Sequence, residues 1–189
     1  MNEEERYAEQ ARRERRTWTW VLVACLVITA IIGAFGWRFV TPRLDAARQL
    51  DHAVKLVRET QTALTAFDAA ARAASASPTT ETASALAALE PRLATARAEL
   101  ASSTADIDAG IAHLADEEQR TAELVRLTAE ARIAEIDAGA AIVSAAKTAA
   151  VSPSPANTAA LQTLVTGTSS AYPAAKQKAA DADAALKAL

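Results

Sequence analysis

The chain begins with a long apolar run between two charged stretches. No charged residue occurs from Thr17 to Trp37, a run of 21 positions. A helix of that length spans about 31 Å at 1.5 Å of rise per residue, which matches the hydrocarbon core of a bilayer. The pattern therefore predicts one transmembrane helix over residues 17–40, preceded by a short charged tail at residues 1–16.

Tryptophans mark both ends of this run. Trp18 and Trp20 lie at its start and Trp37 at its end. Indole rings are enriched at membrane–water interfaces, where one edge is apolar and the other is wet. We therefore expect these three side chains to lie at the two membrane interfaces, with the lipid bilayer as the partner of the whole segment.

Small residues recur at a spacing of four inside the span. Thr29 with Gly33, and Ala30 with Ala34, would each share one face of a helix. Such pairs permit close contact between helices in lipid. They are candidates for span packing, although an alanine-rich chain also produces such pairs by chance.

Positive charge is concentrated before the span. Arg38, Arg43 and Arg48 follow it but are spread out, whereas four arginines lie close together on the N-terminal side: Arg12, Arg13, Arg15 and Arg16. The positive-inside rule places this cluster, and hence the N-terminus, in the cytoplasm. The bulk of the chain is then extracytoplasmic; the reverse orientation is the alternative. The same cluster either sets topology alone or also binds anionic lipid headgroups.

The sequence is compatible with three ways of processing the apolar segment. The default is an uncleaved signal anchor in the cell membrane. Cleavage after Gly36 would need a shorter apolar region than this one. The residues before Cys25 match the pattern of a lipoprotein motif, but too few apolar residues precede that cysteine for lipidation to be expected.

Residues 41–189 show helical periodicity with heptad spacing. Four segments are predicted, at about 43–76, 79–114, 117–150 and 156–189. The apolar positions recur at steps of three, four or seven, which is typical of helices packed side by side. In the first two segments these positions are Leu50, Val54, Val57, Gln61 and Leu64, then Leu86, Leu93, Leu100, Ile107 and Leu114.

Proline and serine separate the segments. Ser77-Pro78 and Ser154-Pro155 are typical of a helix start, whereas Pro91 and Pro173 predict breaks or kinks inside the second and fourth segments. Periodicity alone also allows residues 80–150 to form one long helix. A continuous helix would carry many charges back into lipid, so a turn is expected near residues 110–119, giving an antiparallel, up-down-up-down bundle.

Composition supports an all-α fold. The stretch from Arg43 to Leu189 contains 46 alanines, and aromatic residues make up only 4% of the chain. Alanine has the highest helix propensity, whereas strands favour β-branched and aromatic residues. The net charge is -3, with no basic stripe beyond the first 16 residues, so nucleic acid is not an expected partner. The single cysteine precludes a disulfide within the chain.

Candidate chemistry is sparse. His113 and Glu117 lie four apart, but His52 is not expected to reach them, so no metal site is predicted. No cofactor or catalytic residue is predicted, and an enzyme is not expected. One charged stretch near the end of the chain is predicted to be a solvated face: Lys176, Lys178, Asp181, Asp183 and Lys187.

Two functions remain. The first is a single-pass, membrane-anchored helical interaction or scaffold protein of the bacterial cell envelope, which binds a protein partner or a second copy through its helical seams. The alternative is an extracytoplasmic ligand-sensing four-helix-bundle domain that signals through a partner.

Overall fold

A computed structural model describes residues 3–188, with side chains described at 23, 25–33, 36–38 and 40–188. This part of the chain is all-helical and contains no strand, as the composition predicts. Its elements, in chain order, are α1 (Glu3–Ala76), α2 (Thr80–Ala87), α3 (Glu90–Gly110), a 3₁₀ helix (Ile111–His113), α4 (Asp116–Val151), α5 (Pro155–Thr166) and α6 (Ala171–Lys187).

The first part of α1 carries the apolar segment. Its most apolar window of 18 residues has a mean hydropathy of 1.6, and none of it is buried within the protein. Large side chains stand exposed along it, among them Leu26, Ile32 and Trp37. By length and composition, α1 therefore contains one segment that could cross a membrane.

The chain divides into two units, residues 1–44 and residues 45–189. In the second unit, α1 contributes a continuous seam of buried residues that alternates steps of three and four. This seam consists of Ala46, Leu50, Ala53, Val57, Thr60, Leu64, Phe67, Ala71 and Ala74. The seam expected through Val54 and Gln61 is wrong at Gln61, which is exposed. Val54 is half-buried and packs against the edge of the core. Ala53 and Thr60 lie inside instead, so small residues are used where the sequence offers larger ones.

Helix α4 carries the second long seam. Its buried positions again alternate steps of three and four: Val125, Thr128, Arg132, Glu135, Gly139, Ile142, Ala146 and Ala149. Two of these positions are charged, although a heptad seam normally selects apolar side chains. Both charges lie near the middle of the helix.

Glycine permits close approach between α1 and α4. A Cβ atom added at Gly139 would lie 3.1 Å from the ring of Phe67. That separation is tighter than an ordinary van der Waals contact, so the aromatic ring occupies the space that a side chain at position 139 would need. The small residue on α4 thereby accommodates the largest residue of the α1 seam.

Local capping explains where the helices begin. The Thr79 hydroxyl accepts a hydrogen bond of 3.2 Å from the backbone N–H of Thr82, so α2 begins two residues after the Ser77-Pro78 pair. The Ser154 hydroxyl accepts one of 3.1 Å from the Asn157 N–H, and Pro155 opens α5. Such caps satisfy backbone donors that have no partner within the helix.

Prolines occupy the first turns of two further helices. Pro91 lies in the first turn of α3, and Pro173 lies close to the start of α6. A first turn tolerates proline because its backbone N–H groups have no partner within the helix.

Ion pairs on the surface link α3 to α4 at three points along their length. Glu90 pairs with Lys147 at 3.2 Å, Arg97 with Asp137 at 2.6 Å, and Asp108 with Arg126 at 3.7 Å. Residue numbers rise along α3 as those of the partners fall along α4. The chain makes the turn between the two helices through the 3₁₀ helix Ile111–His113.

Candidate functional site: a buried charge cluster

Arg132 occupies the centre of an ionic cluster inside the second unit. The residue is only 5% exposed, yet it carries a permanent positive charge. One terminal nitrogen donates to Glu135, one turn further along α4, at 3.0 Å. The other donates to Asp183 of α6. Arg132 therefore links α4 to α6 through a charge-assisted hydrogen bond.

The two carboxylates are as deeply buried as the guanidinium. Glu135 is 2% exposed and Asp183 is 9% exposed. Burial of an unpaired ion costs several kcal/mol, so each carboxylate depends on Arg132 for compensation. Arg132 likewise depends on the carboxylates, because its guanidinium has lost its own hydration. Removal of Arg132 would therefore leave two buried carboxylates without their counter-charge.

A second layer of charge joins α1 to α6. The carboxylate of Asp68 on α1 pairs with Lys176 of α6 at 2.8 Å and with Arg72 at 3.0 Å. The side chains of Lys176 and Arg72 are 40% and 65% exposed, so this layer borders solvent. Together the two layers contain three cations and three carboxylates, and this charge cluster is defined as Asp68, Arg72, Arg132, Glu135, Lys176 and Asp183.

An aromatic pair lies beside the cluster. Tyr172 of α6 packs edge-on against Phe67 of α1, with ring centroids 5.9 Å apart. The hydroxyl of Tyr172 is buried and has no partner within hydrogen-bonding geometry among the described residues. Burial raises the pKa of this hydroxyl well above its ordinary value, and the nearby carboxylates of Asp68 and Glu135 raise it further.

Burial also governs the ionisation of Glu135. Desolvation raises its pKa above the ordinary value of 4.5, against the attraction of Arg132 and Lys176, which lowers it. The charge of Asp68 acts in the same direction as desolvation. Desolvation outweighs the ion pair, so protonation of Glu135 requires a smaller drop in pH than for an exposed glutamate.

A cavity of about 180 Å³ opens among these groups. Helices α1, α4 and α6 all contribute to its wall. The lining consists of Gln61, Leu64, Thr65, Asp68, Arg132, Glu135, Lys176, Ala180 and Asp183. Five of these residues are charged, and two of the five, Arg132 and Glu135, are almost completely buried.

The membrane-interface and span residues predicted from sequence lie outside this cluster. Trp37 is 75% exposed. The Thr29 hydroxyl donates to the Cys25 carbonyl at 2.8 Å, and space around Gly33 is open in this single chain. Ala30 is exposed. The side chains of the other predicted residues lie outside the described part of the structure: Trp18, Trp20, Ala34, Arg12, Arg13, Arg15 and Arg16.

The predicted solvated face of the last segment is wrong at Asp183. That residue is buried against Arg132, although Asp181 and Lys178 are exposed. Lys176 is half-buried and pairs across to α1. A signal was present in the sequence: on α4, Arg132 and Glu135 continue the three-four spacing of apolar and small residues on both sides of them. Charges at two successive seam positions indicate a buried ion pair rather than a solvent face.

The histidines do not contribute to the cluster. His52 and His113 are both exposed, the first on α1 and the second in the 3₁₀ helix. Among the described residues no group of three His, Cys, Asp or Glu side chains is arranged to hold a metal ion.

Replacement of Glu135 by glutamine should change how stability depends on pH. The folded-state pKa of Glu135 is raised above the ordinary value of 4.5. The contribution of Glu135 to the free energy of unfolding is therefore fully present below pH 4.5 and is lost as the pH rises through the folded-state pKa. The free energy of unfolding of the wild type, relative to Glu135→Gln, should therefore fall as pH rises from about 4.5 toward neutrality. Urea unfolding of the full chain in detergent at several pH values measures this difference.

The matched control is Glu123→Gln, which alters an exposed glutamate on the same helix. Its pH dependence should follow that of the wild type. If Glu135→Gln and Glu123→Gln show the same pH dependence, the desolvated state of Glu135 is contradicted.

Comparison with known proteins gives no match. No protein-family model matches the chain, and neither a curated protein nor a solved structure matches it significantly.

Proposed function

We propose that the chain is a single-pass protein of a bacterial cell membrane, with its N-terminus in the cytoplasm and residues 41–189 forming a non-enzymatic, extracytoplasmic interaction domain. One observation carries the proposal: the apolar window of α1 has a mean hydropathy of 1.6 and no part of it is buried. Water would disfavour so much exposed apolar surface, whereas lipid would cover it.

The arginines support the orientation. Four arginines lie close together at positions 12–16, just before the apolar run, and those that follow it are more widely spaced. Positive charge near a span is retained on the cytoplasmic side. The helical domain then lies on the opposite side, tethered by an uncleaved anchor.

The pairing of charges supports an up-down-up-down bundle. Along α3 and α4 the ion pairs run in opposite senses. The same holds for α1 against α5 and α6, since Ser75 accepts a hydrogen bond from Gln162 while Asp68 pairs with Lys176. Four helical layers with short connections make a rigid module rather than a flexible tether.

The interaction surface must lie outside the seams. The leucines and isoleucine of the second predicted segment are buried inside the domain: Leu86, Leu93, Leu100, Ile107 and Leu114. These residues form part of the core of the domain and are not available to a partner. Within residues 45–188, the most exposed large apolar side chain is Val151, at 83%, at the end of α4. This end of the domain is the place to search for a contact.

Cysteine labelling tests the orientation. In a Cys25→Ser background, a membrane-impermeant maleimide applied to spheroplasts should label Glu81→Cys and should leave Asn2→Cys unlabelled until the membrane is permeabilised. Glu81 is an exposed residue of α2, so the probe can reach it once it lies outside the membrane. Labelling in the reverse pattern would contradict the proposed orientation, and labelling of both sites in intact spheroplasts would contradict a membrane-spanning segment.

Photo-crosslinking tests the interaction role. A photoreactive amino acid at Val151 should give a discrete adduct in cells, whose mass distinguishes a second copy from another protein. The control carries the same amino acid at Lys178, an exposed position on α6. If Val151 gives no adduct above the level seen at Lys178, this end of the domain is not the contact surface.

A ligand-sensing role is the second candidate, and the cavity within the charge cluster is the observation that favours it. Ligand sites in helical bundles are built between helices from inward-facing side chains. A sensor of this kind would transmit its signal through a partner.

A further inference from the structure

We propose that a larger cavity beside the charge cluster binds a small organic monoanion, a carboxylate attached to a short apolar body. This inference deepens the ligand-sensing candidate by naming a site and a class of ligand, and it rests on that candidate. It is independent of the orientation of the chain in the membrane.

Three helices form this cavity, which has a volume of about 540 Å³. Helix α1 contributes Asp68 and Arg72, α6 contributes Lys176, and the end of α5 contributes Val165. Asp68 and Lys176 also line the smaller cavity of the charge cluster, so the two spaces are neighbours. The larger volume lies within the range of roughly 300–1,000 Å³ that is typical of ligand sites, so a whole small molecule fits.

Two cations share a single carboxylate oxygen in the wall of this cavity. The Nζ atom of Lys176 lies 2.8 Å from Oδ2 of Asp68, and a terminal nitrogen of Arg72 lies 3.0 Å from the same oxygen. The two nitrogens are therefore no farther apart than these two distances combined, and like charges that close repel each other. Because one carboxylate balances only one of the two cations, a second anion beside them would relieve the repulsion.

The charge of the lining selects the sign of the ligand. Two cations and one carboxylate line the cavity, an excess of one positive charge. In the buried layer of the cluster Arg132 is outnumbered by Glu135 and Asp183, but none of these three lines the larger cavity. Their charges act on a ligand there over a longer distance than the direct contacts would. A monoanion therefore matches the wall, whereas a cation would be repelled by it.

Both cations are accessible to a ligand from solvent. The side chain of Arg72 is 65% exposed and that of Lys176 is 40% exposed. A guanidinium carries five N–H donors and an ammonium three, more than one carboxylate oxygen accepts. The planar fork of a guanidinium fits two oxygens of one carboxylate, so Arg72 favours a carboxylate over a spherical anion.

The rest of the wall favours an apolar body on the anion. Val165 of α5, with Pro173 and Ala180 of α6, lies in the lining beside the charged groups. The methylene stem of Lys176 adds further apolar surface. A short hydrocarbon body would shield these groups from water, whereas an inorganic anion would make only the polar contacts.

Thermal unfolding of the detergent-solubilised full chain tests the proposal. The probes are butanoate, 3-methylbutanoate and benzoate, each compared with its uncharged amide, and with butylammonium and inorganic phosphate. At least one carboxylate should raise the Tm saturably, by about 3 °C or more at ten times its Kd. At equal concentration and ionic strength, the amides and butylammonium should give no shift, and phosphate should give a smaller one.

Two pairs of variants locate the binding. Arg72→Gln and Lys176→Gln should each weaken carboxylate binding at least about tenfold, because each removes one cation from the wall. The Tm without ligand should change little, since both ion pairs are partly exposed. The matched controls are Arg58→Gln, an exposed arginine two heptads earlier on α1 and about 21 Å away along the helix, and Lys178→Gln, an exposed lysine on α6. Both controls should bind as the wild type does.

Four results would overturn the proposal. If no carboxylate raises the Tm, the cavity holds solvent only. If an amide stabilises the chain as well as its carboxylate does, the cations do not contribute. If phosphate equals the carboxylates, the site takes anions but the organic class is wrong. If Arg72→Gln and Lys176→Gln bind as tightly as their controls, the ligand lies elsewhere. None of these outcomes bears on the labelling pattern in spheroplasts, so failure here is distinguishable from failure of the membrane proposal.

Discussion

The guanidinium of Arg132 ties α4 to α6 inside the second unit, because leaving its position would separate a buried positive charge from its carboxylate partners. Apolar side chains in a seam rich in alanine can slide by a turn and find similar neighbours. In the observed packing of α4 on α6, Arg132 donates hydrogen bonds to both Glu135 and Asp183. Buried ion pairs add little net stability compared with well-packed apolar residues. Their contribution here is to fix which turn of α4 faces which turn of α6.

This constraint matters because the rest of the core specifies register weakly. Five of the nine buried positions in the seam of α1 carry small side chains, four of them alanine and one threonine: Ala46, Ala53, Thr60, Ala71 and Ala74. The four larger side chains are Leu50, Val57, Leu64 and Phe67. Small side chains allow helices to approach closely, but they provide few distinctive shapes. The fit of Phe67 against Gly139, the pairs between α3 and α4, and the buried cluster supply the missing specificity.

Much of this fold could be predicted from the sequence because it rests on local signals. The apolar run before Pro42 and the abundance of alanine predict the helical content and the span directly, and the Ser154-Pro155 pair marks the start of α5. The candidate site could not be predicted in the same way. Arg132 and Asp183 are separated by 51 positions, and only packing of α4 on α6 brings them together. Along α6 alone, Asp183 looks like part of a solvated face. It is buried because α4 supplies its counter-charge, Arg132.

The central claim is that Arg132 and Asp183 act as a coupled pair that holds α4 to α6, and a double-mutant cycle tests it most directly. The free energies of unfolding of the wild type, Arg132→Met, Asp183→Asn and the double variant give the coupling between the two side chains. We expect each single variant to be strongly destabilised and the coupling to be about 2 kcal/mol or more, since either change alone leaves a buried group without its partner. Additive effects, with a coupling below about 0.5 kcal/mol, would contradict the account.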